Sequence, residues 1–191
     1  MKRIFFALFF FISAFFLLDA QAQSQHLTFK GIEINGTLTE FISKLQKQGF
    51  TLIDRFESGA ALKGTFAGED AVVLIPCKEN EIVWKVVVDF NEKNTWYSLK
   101  SAYKSYKESL TSKYGKGESY EYFKSPYYDG DGYEMSAVKL EKCFYSTIFE
   151  IKEGDIIVEI CKGANVRISY EDNENYLKIK EKREQQKYDD L

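Results

Sequence analysis

The chain has one histidine, His26, and three cysteines, Cys77, Cys143 and Cys161, which bounds the chemistry open to it. A Ser-His-Asp or Cys-His nucleophile needs an imidazole fixed against its partner, and zinc sites built on histidine usually use more than one. His26 lies in an early segment expected to be loosely held, so it reads as an inert polar residue. No Gly-rich phosphate loop, CxxC or HExxH occurs, so no cofactor and no metal centre is expected. Three cysteines allow at most one intrachain disulfide with one thiol left over. The other reading is three buried thiols acting as small apolar side chains.

The most unusual stretch is Tyr127-Tyr128-Asp129-Gly130-Asp131-Gly132-Tyr133-Glu134. Asp129, Asp131 and Glu134 could offer oxygens to calcium, but the spacing is shorter than a full EF-hand loop, and Asp-Gly pairs favour plain turns. Tyr120, Tyr122, Phe123 and Pro126 lie close by. Tyrosine gives contact area with little entropy lost on ordering, which suits a protein partner or a sugar ring; the alternative is that half of these rings fill a core. Tyr127, Tyr128, Asp129, Asp131 and Tyr133 are therefore the candidate binding residues, and no catalytic residue is assigned. Were the protein a glycan-cleaving enzyme working through paired carboxylates, Asp129, Asp131 and Glu134 would be the first to test. Lys100, Lys104 and Lys107 read as a solvated basic ridge on a helix.

The elements that must position these residues follow from periodicity. Glu81 to Phe90 alternates, with Ile82, Trp84, Val86, Val88 and Phe90 on one face, and predicts a strand. Trp96, Leu99, Tyr103, Tyr106, Leu110 and Tyr114 recur at steps of three and four, which predicts a helix that Asn94 would cap and Gly115 would end. Thr37-Leu38-Thr39-Glu40 is a capping box for an earlier helix carrying Leu38, Phe41, Ile42 and Leu45. Leu27 to Ile34 reads as one short strand. Phe50 to Phe90 holds four extended runs with short connections, which favour antiparallel hairpins.

After Gly115 five extended runs are expected: ESYEYFK, YEMSAVKLEK, CFYSTIFEI, DIIVEIC and NVRISYE. A last helix begins near Glu174, and its polar end should fray. Val166, Ile168 and Tyr170 can be laid on Val86, Val88 and Phe90, which suggests an internal repeat. The fold class is α+β: an antiparallel sheet with helices packed on one face, built as a tandem α-β(4) repeat plus a C-terminal helix. A Rossmann-type nucleotide site depends on a parallel, alternating order that is not seen here.

Residues 1–22 read as a signal peptide: Lys2 and Arg3, an apolar run from Ile4 to Leu18, then Ala20-Gln21-Ala22. A periplasmic or secreted location is expected, without a membrane span in the mature chain, and 23–191 would form one domain with repeat halves at about 27–94 and 95–191. The net charge of −3 argues against a sequence-independent nucleic-acid binder.

The segments GIEINGT, EFISKLQKQGF, LKGTFAG, NTWYSLKSAYKS and LTSKYG resemble a family of small exported proteins of gut anaerobic Gram-negative bacteria that brings no catalytic residue to carry over. The tandem layout is also similar to the β-lactamase inhibitor protein and to small outer-membrane-assembly lipoproteins, and architecture by itself does not assign function. The expected role is a non-enzymatic protein-binding module of the bacterial envelope with an envelope or secreted protein as partner. The alternatives are a carboxylate-dependent glycan hydrolase or lyase, and an inhibitor or immunity protein for a secreted toxin or enzyme.

Overall fold

A computed structural model describes residues 26–78 and 81–189; the expected leader falls outside them. The chain opens with β1 (Thr28–Phe29) and β2 (Ile32–Glu33), a two-stranded hairpin. The single strand expected over Leu27–Ile34 is therefore broken. Lys30 and Gly31 both take positive φ, 50° and 75°, the geometry of a tight hairpin turn. Folding back this way buries Leu27, Phe29, Ile32 and Ile34 together.

Helix α1 (Leu38–Lys47) starts at the capping box read from the sequence: the Thr37 hydroxyl accepts from Glu40 N, and the Glu40 carboxylate accepts from Thr37 N. Then come β3 (Thr51–Phe56), β4 (Gly59–Phe66), β5 (Glu69–Ile75) and β6 (Lys85–Phe90). Strand β6 starts later than expected. Ile82 makes an isolated bridge with Thr37, Val83 N donates to Gly36 O, and Trp84 O accepts from Asp172 N, so this stretch ties the sheet to the first helix. The alternation shifts accordingly, leaving Val83 fully buried and Trp84 packed against Tyr176.

Helix α2 (Trp96–Tyr114) buries Leu99, Tyr103, Tyr106 and Leu110, the stripe predicted. Its cap is Thr95 rather than Asn94, because the Thr95 hydroxyl is the oxygen that reaches a free amide, that of Ser98. After β7 (Glu118–Phe123) the expected strand YEMSAVKLEK is instead a short helix, α3 (Glu134–Lys139). Glu134, Ala137 and Val138 are its buried residues, a helical three-and-four spacing that overrides the extended reading. Strands β8 (Cys143–Ile151), β9 (Gly154–Ile160) and β10 (Val166–Asp172) lead into α4 (Asn173–Asp189). The polar end of α4 stays helical to Asp189, supported by Glu174–Lys178, Glu81–Arg183 and Gln185–Asp189 contacts.

The main sheet has eight antiparallel strands in the order β3-β4-β5-β6-β10-β9-β8-β7. The last strands of the two sequence halves, β6 and β10, lie side by side at its centre, with Val88 opposite Ile168 and Val86 opposite Tyr170. Side chains at these positions face the helices with Leu62, Val73, Ile156, Val158 and Phe149, all buried. Two tyrosines of α2 join the halves: Tyr106 donates to Glu69 of β5 at 2.8 Å, while the Tyr103 hydroxyl bonds Thr147 of β8 at 2.6 Å. Gly154 is forced by close packing, since a Cβ there would lie 2.1 Å from the Glu171 carbonyl oxygen.

The start of the described chain is pinned rather than loose. The fully buried Asp172 carboxylate caps α4 by accepting from Asn175 N at 2.9 Å, and it also accepts from Leu27 N at 2.7 Å. His26 Nδ1 lies 3.1 Å from the same carboxylate. Removing Asp172 orphans the Leu27 and Asn175 amides at once. Asp172→Ala is expected to cost about 3 kcal/mol in urea unfolding, and loss of protection at the Leu27 amide in hydrogen exchange would show which end opens first.

Candidate functional site

The sequence-derived loop residues are individually engaged and point to different neighbours. Asp129 accepts from Trp96 Nε1 at 2.9 Å and from Lys100 Nζ at 2.6 Å, which fastens the loop to the start of α2. Those two bonds hold the Asp129 carboxyl below its usual range, the Lys100 bond first. Asp131 accepts from the backbone amides of Tyr128 and Tyr133, and Glu134, itself buried, accepts from Gly130 N at 2.8 Å. Asp131 and Glu134 thus close the turn on itself while Asp129 ties it to α2, and no group of three metal-ligating side chains occurs among the described residues. Tyr127 packs partly buried against the core, whereas Tyr128 and Tyr133 are 64% and 65% exposed. A groove of about 600 Å³ runs between this loop and α2, lined by Trp96, Lys100, Lys104, Asp129 and Glu134.

A second surface lies on the sheet itself. With the helices on one face, the other face of the sheet carries an alternate set of residues whose identity follows from strand register. The row Ala61, Leu74, Val87, Ser169, Ile157, Ile148 crosses six strands. Beside it run Val72, Asp89, Arg167, Glu159, Ser146 and Tyr120, and at the β7 edge Tyr122 stands opposite Phe144. Tyr122 and Phe144 stack with ring centroids 5.1 Å apart, and Lys124 Nζ sits 4.2 Å over the Phe144 ring.

Arg167 makes a two-pronged ion pair with Asp89 across the central seam, at 2.7 and 2.8 Å, which raises the guanidinium pKa further above its ordinary value. A groove of about 730 Å³ opens at this end of the face, lined by Tyr120, Tyr122, Phe144, Glu159, Cys161 and Arg167 among others. Sequence reasoning singled out Tyr120 and Tyr122 only as neighbours of the loop. The available signal was the alternation in ESYEYF, which puts Glu118, Tyr120 and Tyr122 on one side of a strand.

All three cysteines are free; Cys77 and Cys143 are buried and Cys161 is half-buried beside the groove. Burial is the first cause in each case and pushes Cys77 up to about 11 and Cys143 and Cys161 up to about 12. None is a thiolate at neutral pH, so none is a ready nucleophile.

No family model matches the chain, and neither a curated protein nor a solved structure matches it.

The raised thiol pKa values set a pH window. Each thiol stays protonated in the fold at a pH where the unfolded chain would ionise it, so its contribution is complete below about pH 8.5 and is lost as pH climbs toward 12. Stability measured by urea unfolding should fall steadily over that alkaline range. At pH 8 a thiol reagent should label the native protein far more slowly than free cysteine, and labelling should reach three equivalents only after unfolding.

Proposed function

We propose that the protein is an exported, non-enzymatic binding module of the bacterial envelope, and that it recognises a protein partner with the uncovered face of its sheet. The observation that carries this reading is the asymmetry of burial. On β8, β9 and β10 the side chains facing the helices are buried, while those on the other face, Ser169 apart, keep partial exposure. Tyr120 and Tyr122, 45% and 47% exposed, border that face beside the 730 Å³ groove. The exposed Tyr128 and Tyr133 lie on the loop after β7 that Asp129 fastens to α2, on the helix side of the sheet. Aromatic anchors at the rim of a rigid surface are what protein interfaces favour.

Recognition is favoured over turnover because the groups that could react are already committed. The loop carboxylates close the turn or tie it to α2, the thiols are protonated, and the histidine is bound to a helix cap. Duplication of a helix-plus-four-strand unit is the origin we propose for the scaffold, supported by Val88 and Ile168, counterparts in the sequence alignment, standing opposite each other at the seam. Secretion by the leader is part of the same proposal; no helix among the described residues is long and apolar enough to cross a membrane.

The test is site-specific photo-crosslinking in the native envelope. A photoreactive phenylalanine replacing Tyr120 or Tyr122 is expected to give discrete protein adducts, while one replacing Tyr188, 77% exposed near the end of α4, should give none. Adducts from Tyr188 alone, or none from any position, would refute the face as the recognition surface. Tyr120→Ala/Tyr122→Ala is expected to weaken capture of the adduct partner by about tenfold or more without lowering the unfolding midpoint noticeably, since both rings sit on an edge strand.

A further inference from the structure

The charge on the uncovered face is uneven across the seam. Lys85 pairs with Glu171, and Arg167 is taken by Asp89. Beyond the seam, on β9, β8 and β7, the same face carries Asp155, Glu159, Glu150 and Glu118, and none of these four enters an ion pair. No Lys or Arg stands at a face position on those three strands. Asp155 and Glu150 are direct cross-strand neighbours, as are Asp155 and Glu171. Burial first, and then the adjacent Glu150 and Glu171, raise the Asp155 pKa. Between Asp155 and Glu150 on one side and Glu159 on the other run the half-buried Ile157 and Ile148, with Glu118 at the β7 end of their row; the row continues through the buried Ser169 and Val87 into Leu74 and Ala61.

We infer that the occupant of this face is a cationic amphipathic protein segment, its apolar side along the Ile148–Ile157–Ser169–Val87–Leu74 row and its lysines or arginines over Asp155, Glu150 and Glu159. This rests on the reading of the face as a protein-binding surface and adds the chemistry of the partner. The row spans six strands, so at about 4.8 Å per strand it is roughly 24 Å long, the length of a helix of about 16 residues. An acidic segment would meet Asp155, Glu150 and Glu118, none of them ion-paired, and Glu159, whose cross-strand neighbour Arg167 is already held by Asp89, while a wholly polar one would leave the half-exposed Ile148, Ile157 and Leu74 wet. Like charges left unpaired on a partly shielded surface are relieved by a cation arriving with the partner, which favours cationic over neutral segments.

The probe is a labelled amphipathic peptide of about 16 residues made of leucine and lysine at helical spacing, with a leucine-glutamate counterpart, titrated against the full protein by fluorescence anisotropy. The lysine peptide is expected to bind at low salt and to lose about tenfold or more in affinity at about 0.3 M salt. Glu150→Gln/Asp155→Asn/Glu159→Gln should lose a similar factor, Ile157→Lys should abolish binding, and Glu108→Gln on the exposed side of α2 should change nothing. Circular dichroism on each variant separates lost binding from lost folding.

Equal binding of both peptides overturns the inference, as does a triple variant that binds like wild type. Salt-insensitive dimerisation of the protein through this face, seen in sedimentation and dissolved by Ile157→Lys, overturns it too, because the occupant is then a second copy. If crosslinks from Tyr120 and Tyr122 capture a partner whose yield ignores both salt and the triple variant, the binding-module reading stands and only the cationic partner falls.

Discussion

The pairing of β6 with β10 is the contact on which the rest of the molecule depends. Each half of the chain supplies four strands in hairpin succession, and a four-stranded sheet with one helix over it covers little of its own apolar face. Joining the two last strands in antiparallel register, with Val88 against Ile168, makes one continuous eight-stranded sheet and leaves the first strands, β3 and β7, as its edges. The seam is reinforced on both faces: Val86, Val88, Val166 and Ile168 are buried under the helices, and Arg167 grips Asp89 on the other side.

Long-range polar contacts then fix the helical layer. Tyr106 and Tyr103 of one helix bond carboxylate and hydroxyl groups on opposite halves, so α2 cannot tilt without breaking one of them. The Asp172 carboxylate is a comparable tie, since one buried group caps α4 and holds the beginning of the described chain. Such groups are tolerated inside because the acceptors are matched by donors; a buried carboxylate left alone would be far more costly.

The same arrangement explains why recognition belongs to the sheet face rather than to a cleft. Helices gathered on one side leave eight strands of alternate side chains on the other, rigid because the backbone beneath them is fully paired across the central strands. Aromatic rings collect at the β7 edge and unpaired carboxylates on the neighbouring strands, giving one surface two chemistries. The Asp129–Glu134 loop, by contrast, consumes its own carboxylates to hold its shape.

Local periodicity determined the class and most elements: the capping box at Thr37, the α2 stripe from Leu99 to Leu110, and the alternating strands of β4, β5, β8, β9 and β10 were all legible, because each depends on neighbours a few residues away. The short helix α3 was not, since Ala137 and Val138 fit a strand as readily as a helix until β8 offers a surface to pack on. Nor was the role of His26, whose partner Asp172 is 146 residues distant in sequence. Above all, only the tertiary structure decided the candidate site. The sequence shows that Tyr120, Glu159 and Arg167 each sit on one side of a strand, but which strands are neighbours is set by long-range pairing, and that pairing alone puts the three in one row.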